Sequence, residues 1–168
     1  HKQLGGRLPV LELPTDRPRP SIQSYNGARQ PLRIGSDTHQ RLKSFGQQEG
    51  CTLFMSMVSV LQALLYRYTG QDDIILGSPI SNRTLPDSEK LIGMFLNMLV
   101  LRTNLEGNPS FRELLKRVRD VTLDACSNQD VPFDQIVRSL QVDRDPSRNP
   151  VFQVLLQLSP AEGYVLDL

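Results

Sequence analysis

The polar side chains able to do chemistry fall into three groups along the 168 residues. Arg144, Asp145, Arg148 and Asn149 stand together just before Pro150 and the apolar run Val151-Phe152-Gln153-Val154-Leu155-Leu156. A guanidinium forks onto carboxylates and carbonyls in a fixed planar geometry. This group is therefore expected to brace the strand beginning at Val151, with Arg148 as its pin, substrate contact being the second role open to it. Ser78, Ser81, Asn82 and Arg83 follow the short apolar run Asp73-Ile74-Ile75-Leu76-Gly77. That places them on the loop after a strand, where α/β proteins present ligand-contacting groups. Asn128 and Asp130 precede Pro132, and Asp130 with Pro132 reads as the start of a helix, a carboxylate near its positive end and a proline in its first turn. The two histidines, His1 and His39, have no neighbouring carboxylate arrangement that would make a base. Cys51 and Cys126 sit beside apolar helical segments and read as small hydrophobic thiols, in preference to a disulfide or a nucleophile.

These groups need a framework, and the hydrophobic pattern supplies most of it. Pro9, Pro14, Pro18 and Pro20 keep the first residues extended, so residues 1–28 read as a connector with little of its own to pack on. Gln30-Pro31-Leu32-Arg33-Ile34 alternates like an edge strand. Ser36 is placed to cap a helix carrying Leu42 and Phe45, which Gly50 ends. From Thr52 to Thr69 apolar residues cover most of the helical circumference, so that helix is expected to be buried, with Met55 and Met57 in its packing and Gly70 as its stop. Asp73–Gly77 reads as a central strand, Ser78–Arg83 as an irregular loop, and Asn97–Thr103 as an interior strand. Ser110 and Glu113 form a capping box ahead of Phe111, Leu114, Leu115, Val118, Val121 and Ala125, all on one helical stripe. A helix after Pro132 carries Phe133, Ile136, Val137 and Leu140 on one side, and Val151–Leu156 closes the series as a strand. Strands interleaved with paired helices imply an α/β sandwich in which crossover helices permit parallel pairing.

Composition narrows the function classes. A chain with 39% apolar residues holds one sizeable core and is too short for two ordinary domains. Net charge near +1, with basic and acidic residues interspersed, disfavours nucleic acid and anionic membranes as partners. No stretch approaches the roughly 18 uninterrupted apolar residues of a membrane span, and the first residues lack the apolar core of a secretion signal. The expected location is the cytoplasm.

Four segments taken in order carry a family resemblance. Leu11-Glu12-Leu13-Pro14-Thr15-Asp16-Arg17-Pro18-Arg19-Pro20, Ile92-Gly93-Met94-Phe95-Leu96-Asn97, Asn128-Gln129-Asp130-Val131-Pro132-Phe133-Asp134 and Arg144-Asp145-Pro146-Ser147-Arg148-Asn149-Pro150 resemble the second half of the condensation domains of nonribosomal peptide synthetases. The resemblance implies a chloramphenicol-acetyltransferase-like sandwich, one lobe only, with a mixed sheet covered by helices. It implies residues 1–28 as the Pro-rich interlobe connector and 29–168 as the C-terminal lobe, expected to be truncated at its C-terminal end beyond Tyr164–Leu168. In that family two lobes form a V, and the amine of one carrier-bound aminoacyl group attacks the thioester of another in the channel between them.

Because a thioester is already activated, most of the catalytic work is positioning and stabilising developing charge. The group usually assigned to the chemistry is the second histidine of a His-His-x-x-x-Asp-Gly motif in the first half, and no such run occurs here. The resemblance therefore implies no catalytic residue in this chain and no activity without the N-terminal lobe. What this lobe would supply is a channel wall, with Asn97, Ser78, Ser81 and Asn82 as candidate lining residues. Its structural braces would be Asn128, Asp130, Arg144, Asp145, Arg148 and Asn149. Asn97 ends the Ile/Val-Gly-x-Phe-Val-Asn-Thr-like segment, and its amide either points at the reacting groups or satisfies nearby backbone. Met98 replaces the threonine usual after it, so a polar pair is not expected. No cofactor is expected to bind directly; phosphopantetheine would arrive on peptidyl carrier proteins, which with the N-terminal lobe and an adjacent adenylation domain are the implied partners. A noncatalytic docking lobe is the alternative, and an ester-forming, cyclising or epimerising relative is a third reading, against which Phe152-Gln153-Val154-Leu155-Leu156 favours the condensing type. Missing neighbours would also leave apolar surface and a strand edge near Val151–Leu158 exposed, so the isolated chain is expected to self-associate and its segment Leu13–Pro20 to extend away from the body.

Overall fold

A computed structural model describes residues 3–142 and 145–159, with Glu89 by its backbone alone. The elements are α1 (Ser36–Gln48), α2 (Leu53–Thr69), β1 (Asp73–Ile80), a 3-10 turn (Pro86–Lys90), β2 (Asn97–Asn104), α3 (Phe111–Ser127), α4 (Phe133–Leu140) and β3 (Val154–Leu155). The sheet order is β2-β1-β3. β1 pairs antiparallel with β2 over its full length, from Asp73 opposite Asn104 to Ile80 opposite Asn97, and parallel with β3 through Leu76 and Gly77. The sheet is mixed, as expected, but among the described residues β2 lies at its edge and not in its interior.

Alternation along β1 and β2 divides the core in two. Ile74, Leu76, Leu99 and Leu101 pack with Met55, Val58, Leu65, Leu114, Leu115 and Val118 beneath α2 and α3. On the opposite face Ile75, Val100, Val151 and Phe152 form a second cluster, covered by Leu4, Leu8 and the α4 residues Phe133, Val137 and Leu140. A strand buried on both faces reads as a continuous apolar run, which is why Asp73–Gly77 is legible as central. It continues through Ser78, Pro79 and Ile80, because the missing amide of one proline leaves the rest of the ladder to β2 intact.

The starts of α2 and α3 follow local chemistry, and that of α1 does not. In α2 the Thr52 side chain accepts from the Met55 amide, and Gly70 ends the helix in the left-handed region at φ +70°. In α3 Ser110 and Glu113 close the capping box: the Ser110 amide donates to Glu113 Oε2 at 2.8 Å, and these bonds hold the Glu113 carboxyl below its ordinary range. For α1 the N-cap is Gly35 and no side chain caps it, so Ser36 is the first helical residue and not the cap. The α2 helix is buried on one side only. Met55 is 6% exposed, while Val60 and Leu64 on the other side face solvent.

Two further expectations are overturned. Residues 30–34 form no strand: Leu32 is 86% exposed and Ile34 51%, and without a pairing edge an extended pentapeptide has nothing to satisfy its backbone. The connector does find something to pack on. Leu11 is buried, its amide donates to Gln153 Oε1 at 2.8 Å, and Gln71 bridges the Glu12 amide and the Val10 carbonyl, each at 2.8 Å. Beyond Glu12 the chain runs exposed through Gly35, touching the body where Arg19 donates to Ser147 O and the Gln23 amide to Pro146 O. The closing strand shrinks to Val154–Leu155, with Leu156 adding one amide bond to Gly77 O. Cys51 is buried and Cys126 half-buried, both unpaired, and burial raises both thiols above their ordinary pKa, as hydrophobic thiols require. Among the described residues no single helix is long and apolar enough to cross a membrane.

Gly77 permits the closest approach in the second core. A Cβ there would lie 2.4 Å from the Phe152 ring, which cannot give way because it is packed on Phe133 with ring centroids 5.6 Å apart. Gly77→Ala should lower stability by about 2 kcal/mol, the usual cost of overfilling a packed core. Adding Phe152→Leu should recover part of that loss, so a denaturant double-mutant cycle in which the two effects simply add would argue against the contact.

Candidate functional site

A cleft of about 500 Å³ opens between the start of β2, the end of α3, one face of α4 and the strap at Gln3 and Leu4. Met98, Val100, Val131, Ile136 and Leu140 supply its apolar lining; Asn97, Asn128, Gln129, Gln135, Ser139 and Asp124 supply the polar groups. The helices present these residues at one-turn spacing, Asp124 with Asn128, Gln135 with Ser139 and Ile136 with Leu140, so each pair lies on one face. The adjoining face of α4, through Phe133, Val137 and Leu140, covers the second core, so Leu140 serves both.

Asn97 is the residue that builds this arrangement. Its Nδ2 donates to Gln129 O at 2.6 Å and to Val131 O at 2.8 Å, and its Oδ1 accepts from the Phe133 amide at 3.1 Å. Both N–H groups and a carbonyl lone pair are thus committed to the α3–α4 connection, more than 30 residues away. Of the two roles open to it, backbone satisfaction is the one the structure adopts, and the side chain rims the cleft without aiming its amide into it. Met98 beside it contributes an apolar wall.

Asn128 is both brace and lining residue. It is the C-cap of α3, its Nδ2 donates to Asp124 O at 2.8 Å, and it faces the cleft. Asp130 is exposed and caps nothing: α4 has no side-chain cap, Pro132 is its N-cap, and Asp134 is the carboxylate in its first turn. Position, not charge, decides this, since the helix begins three residues after Asp130 and the dipole's reach ends within the first turn.

The other expected lining residues lie elsewhere. Ser78 is buried in the ladder opposite Leu99, and Ser81 and Asn82 come after the end of β1, outside the cleft; Asn82 holds φ +50°. The neighbouring Arg83 staples the loop onward to β2, donating to Ser88 O and to Leu91 O and lying 4.2 Å from the Phe95 ring centroid.

The terminal brace is also redistributed. Arg144 lies outside the described residues. Arg148 pairs with Asp145 at 2.6 Å, a local contact of two one-third-exposed side chains; hydrogen bonds from Ser147 hold the Asp145 carboxyl below its ordinary range. The pin on the strand is Asn149, whose Oδ1 accepts from the Val151 and Phe152 amides at 3.0 and 3.3 Å and whose carbonyl accepts from Gln153 Nε2 at 3.2 Å. A short amide side chain reaches its own backbone two residues on more directly than a long guanidinium can. Among the described residues no group of His, Cys, Asp and Glu is placed to hold a metal ion, and His39 is exposed on α1, away from the cleft.

Known proteins carry the same pattern over the same span. The family model for the condensation domain matches residues 1–164. The chain belongs to the condensation domain family of the nonribosomal peptide synthetases. It is 49% identical over 157 residues to a linear gramicidin synthase protein of Brevibacillus parabrevis, covering 94% of this chain and 3% of that protein. It is 44% identical over 156 residues to surfactin synthase subunit 1 of Bacillus subtilis, covering 93% of this chain and 4% of that protein. The chain thus spans only a few hundredths of the length of the curated relatives it matches. Among solved structures the X-domain from teicoplanin biosynthesis superposes with TM-score 0.87 at 33% identity, over 93% of this chain and 35% of that one, and that X-domain has also been solved in complex with OxyB. The condensation fold of this chain is the chloramphenicol-acetyltransferase-like sandwich, seen here as one lobe.

For this condensation lobe, Asn97→Ala should cost about 2 kcal/mol by leaving two carbonyls and an amide without their partner, and should speed hydrogen exchange at the Phe133 amide. Asn97→Asp should cost at least as much, because it turns an acceptor towards Gln129 O and Val131 O. Unchanged denaturant midpoints in both variants would free Asn97 for a role in the cleft. Asn149→Ala should lower stability by about 1.5 kcal/mol, and Arg148→Ala by less than half as much. The reverse order in a denaturant titration would restore Arg148 as the pin.

Proposed function

We propose that residues 29–168 form the C-terminal lobe, and residues 1–28 the connector, of a domain that joins carrier-bound thioesters, and that the cleft at Asn97 is part of this lobe's channel wall. In the reaction the acceptor amine attacks the donor thioester carbonyl; the C–N bond forms, the C–S bond breaks, and the amine proton must pass to a base while the thiolate leaves. The observation that carries the reading is the cleft itself. It is lined by Asn97, the last residue of one segment that resembles a family motif, and by Asn128, Gln129 and Val131 of another, and among the described residues its polar groups are amides, one hydroxyl and one carboxylate. Such a lining suits an uncharged amide chain, and among the described residues it supplies no base of ordinary pKa near neutrality. The base would come from the N-terminal lobe, and the substrates on phosphopantetheine arms of peptidyl carrier proteins, with an adenylation domain as neighbour.

The second reading, a docking lobe without catalysis, is favoured by the 33% identity to an X-domain that forms a complex with another protein. The two readings separate in one assay. The purified 168-residue chain, mixed with donor- and acceptor-loaded carrier proteins, should give no dipeptide above a no-protein control. A domain that joins these same residues to a lobe carrying His-His-x-x-x-Asp-Gly should give product. Product from the chain alone would refute the dependence on a second lobe, and failure of the joined domain would favour docking.

Surface chemistry supports self-association of the isolated chain. Leu85, Leu91, Ile92, Met94 and Leu96 are all more than half exposed along one loop, an apolar run of the kind that is normally covered. Light scattering should find dimers or larger species at high concentration, and Ile92→Asp with Met94→Asp should shift the chain towards monomer; a wild-type monomer throughout would refute it.

A further inference from the structure

One side of the cleft is formed by residues far from it in sequence, and a single arginine holds them there. Arg102 lies on β2 with Asp73 nearby on β1. Its Nε donates to Asp73 Oδ1 and Oδ2 at 3.0 and 3.2 Å, and its Nη2 to Oδ2 at 2.8 Å. The rest of the guanidinium is turned onto the strap: Nη1 donates to Gln3 O at 3.3 Å and Gly5 O at 2.9 Å, and Nη2 to Arg7 O at 3.3 Å. Gln3 answers with Nε2, which donates to Arg102 O at 3.2 Å. The Arg102 side chain is 17% exposed, and the Asp73 bonds push its pKa further above the ordinary value, so it is charged at every working pH. Three carbonyls and a carboxylate converging on one planar cation is a geometry that lysine, with a single ammonium, cannot reproduce. The strap residues so held, Gln3 and Leu4, are the same two that line the cleft.

We propose that Arg102 is a positioning residue for the cleft: with Asp73 it clasps the carbonyls of Gln3, Gly5 and Arg7, holds Gln3 and Leu4 in place as a wall, and makes release of the strap and opening of the cleft one event. The assignment rests on the reading of the cleft as part of the channel wall. Its test uses neither substrate nor carrier protein, so the clasp and that reading fail separately.

Hydroxyl-radical footprinting of the full chain reads the cleft through Met98, which lines it, against Met94, which is 86% exposed and serves as internal reference. Trypsin reads the strap through cleavage after Arg7, against cleavage after the exposed Arg29. In Arg102→Met the Arg7 cleavage ratio should rise on the order of tenfold and the Met98 oxidation ratio about fivefold, as a local opening that leaves the core closed requires. Arg102→Lys keeps the charge opposite Asp73 and should give intermediate values of both. Gln3→Ala with Leu4→Ala keeps the guanidinium bonds to the strap carbonyls but gives up the Gln3 Nε2 bond and removes the wall, so it should raise Met98 oxidation by a larger factor than Arg7 cleavage. Strap release without a change at Met98 would overturn the coupling. Wild-type behaviour of Arg102→Lys, or of Arg102→Met if that variant folds, would overturn the clasp.

Discussion

The structure depends on β1 being buried on both faces. Ile74 and Leu76 point to the helical layer while Ile75 points to the opposite one, so neither layer can be removed without returning a row of aliphatic side chains to water. One layer is simple, α2 and α3 packed on the sheet with α1 beside them. The other is assembled from pieces that would not be stable alone: the strap through Leu4 and Leu8, the eight-residue helix α4, and the turn carrying Val151 and Phe152. A helix of two turns does not form by itself in water. It is held because Phe133 meets Phe152 and because Asn97 ties its entry to the start of β2.

The cleft follows from that construction. The helix α4 gives Phe133 and Val137 to the sheet and turns Gln135 and Ser139 the other way, while Asn97 fixes the connection from α3 at a set distance from the strand. A cavity bounded by one strand, two helix ends and a strap has walls that meet only through hydrogen bonds. This explains why amides dominate its rim: an amide donates and accepts at once and so joins backbone segments that no ladder connects. Arg102 does the same for the strap with charge added.

Much of this was legible beforehand where the signal is local. The Thr52 and Ser110 caps, the left-handed Gly70, the apolar run of β1 and the stripe of α3 all arise from interactions within a few residues, so composition and spacing determine them. The motif segments likewise marked the family. Where the expectation failed, the deciding partner was distant. Residues 30–34 alternate like a strand but have no edge to pair with. Asn149, not Arg148, holds the last strand, because which side chain reaches an amide depends on how the turn at Pro146–Pro150 folds. Ser78 looks like a loop residue until β2 extends the ladder over it.

Sequence by itself thus determined the helices, the central strand, the two-sided burial and the family, because periodicity and capping are properties of neighbouring residues. Tertiary structure alone decided that Asn97 serves the backbone, that Asp124, Gln135 and Ser139 share a cleft, and that Gln3 and Leu4 are a wall of it. The reason is physical: a hydrogen bond from Arg102 to Gln3 or from Asn97 to Val131 closes a loop of tens of residues, and nothing in the local pattern encodes which loop closes.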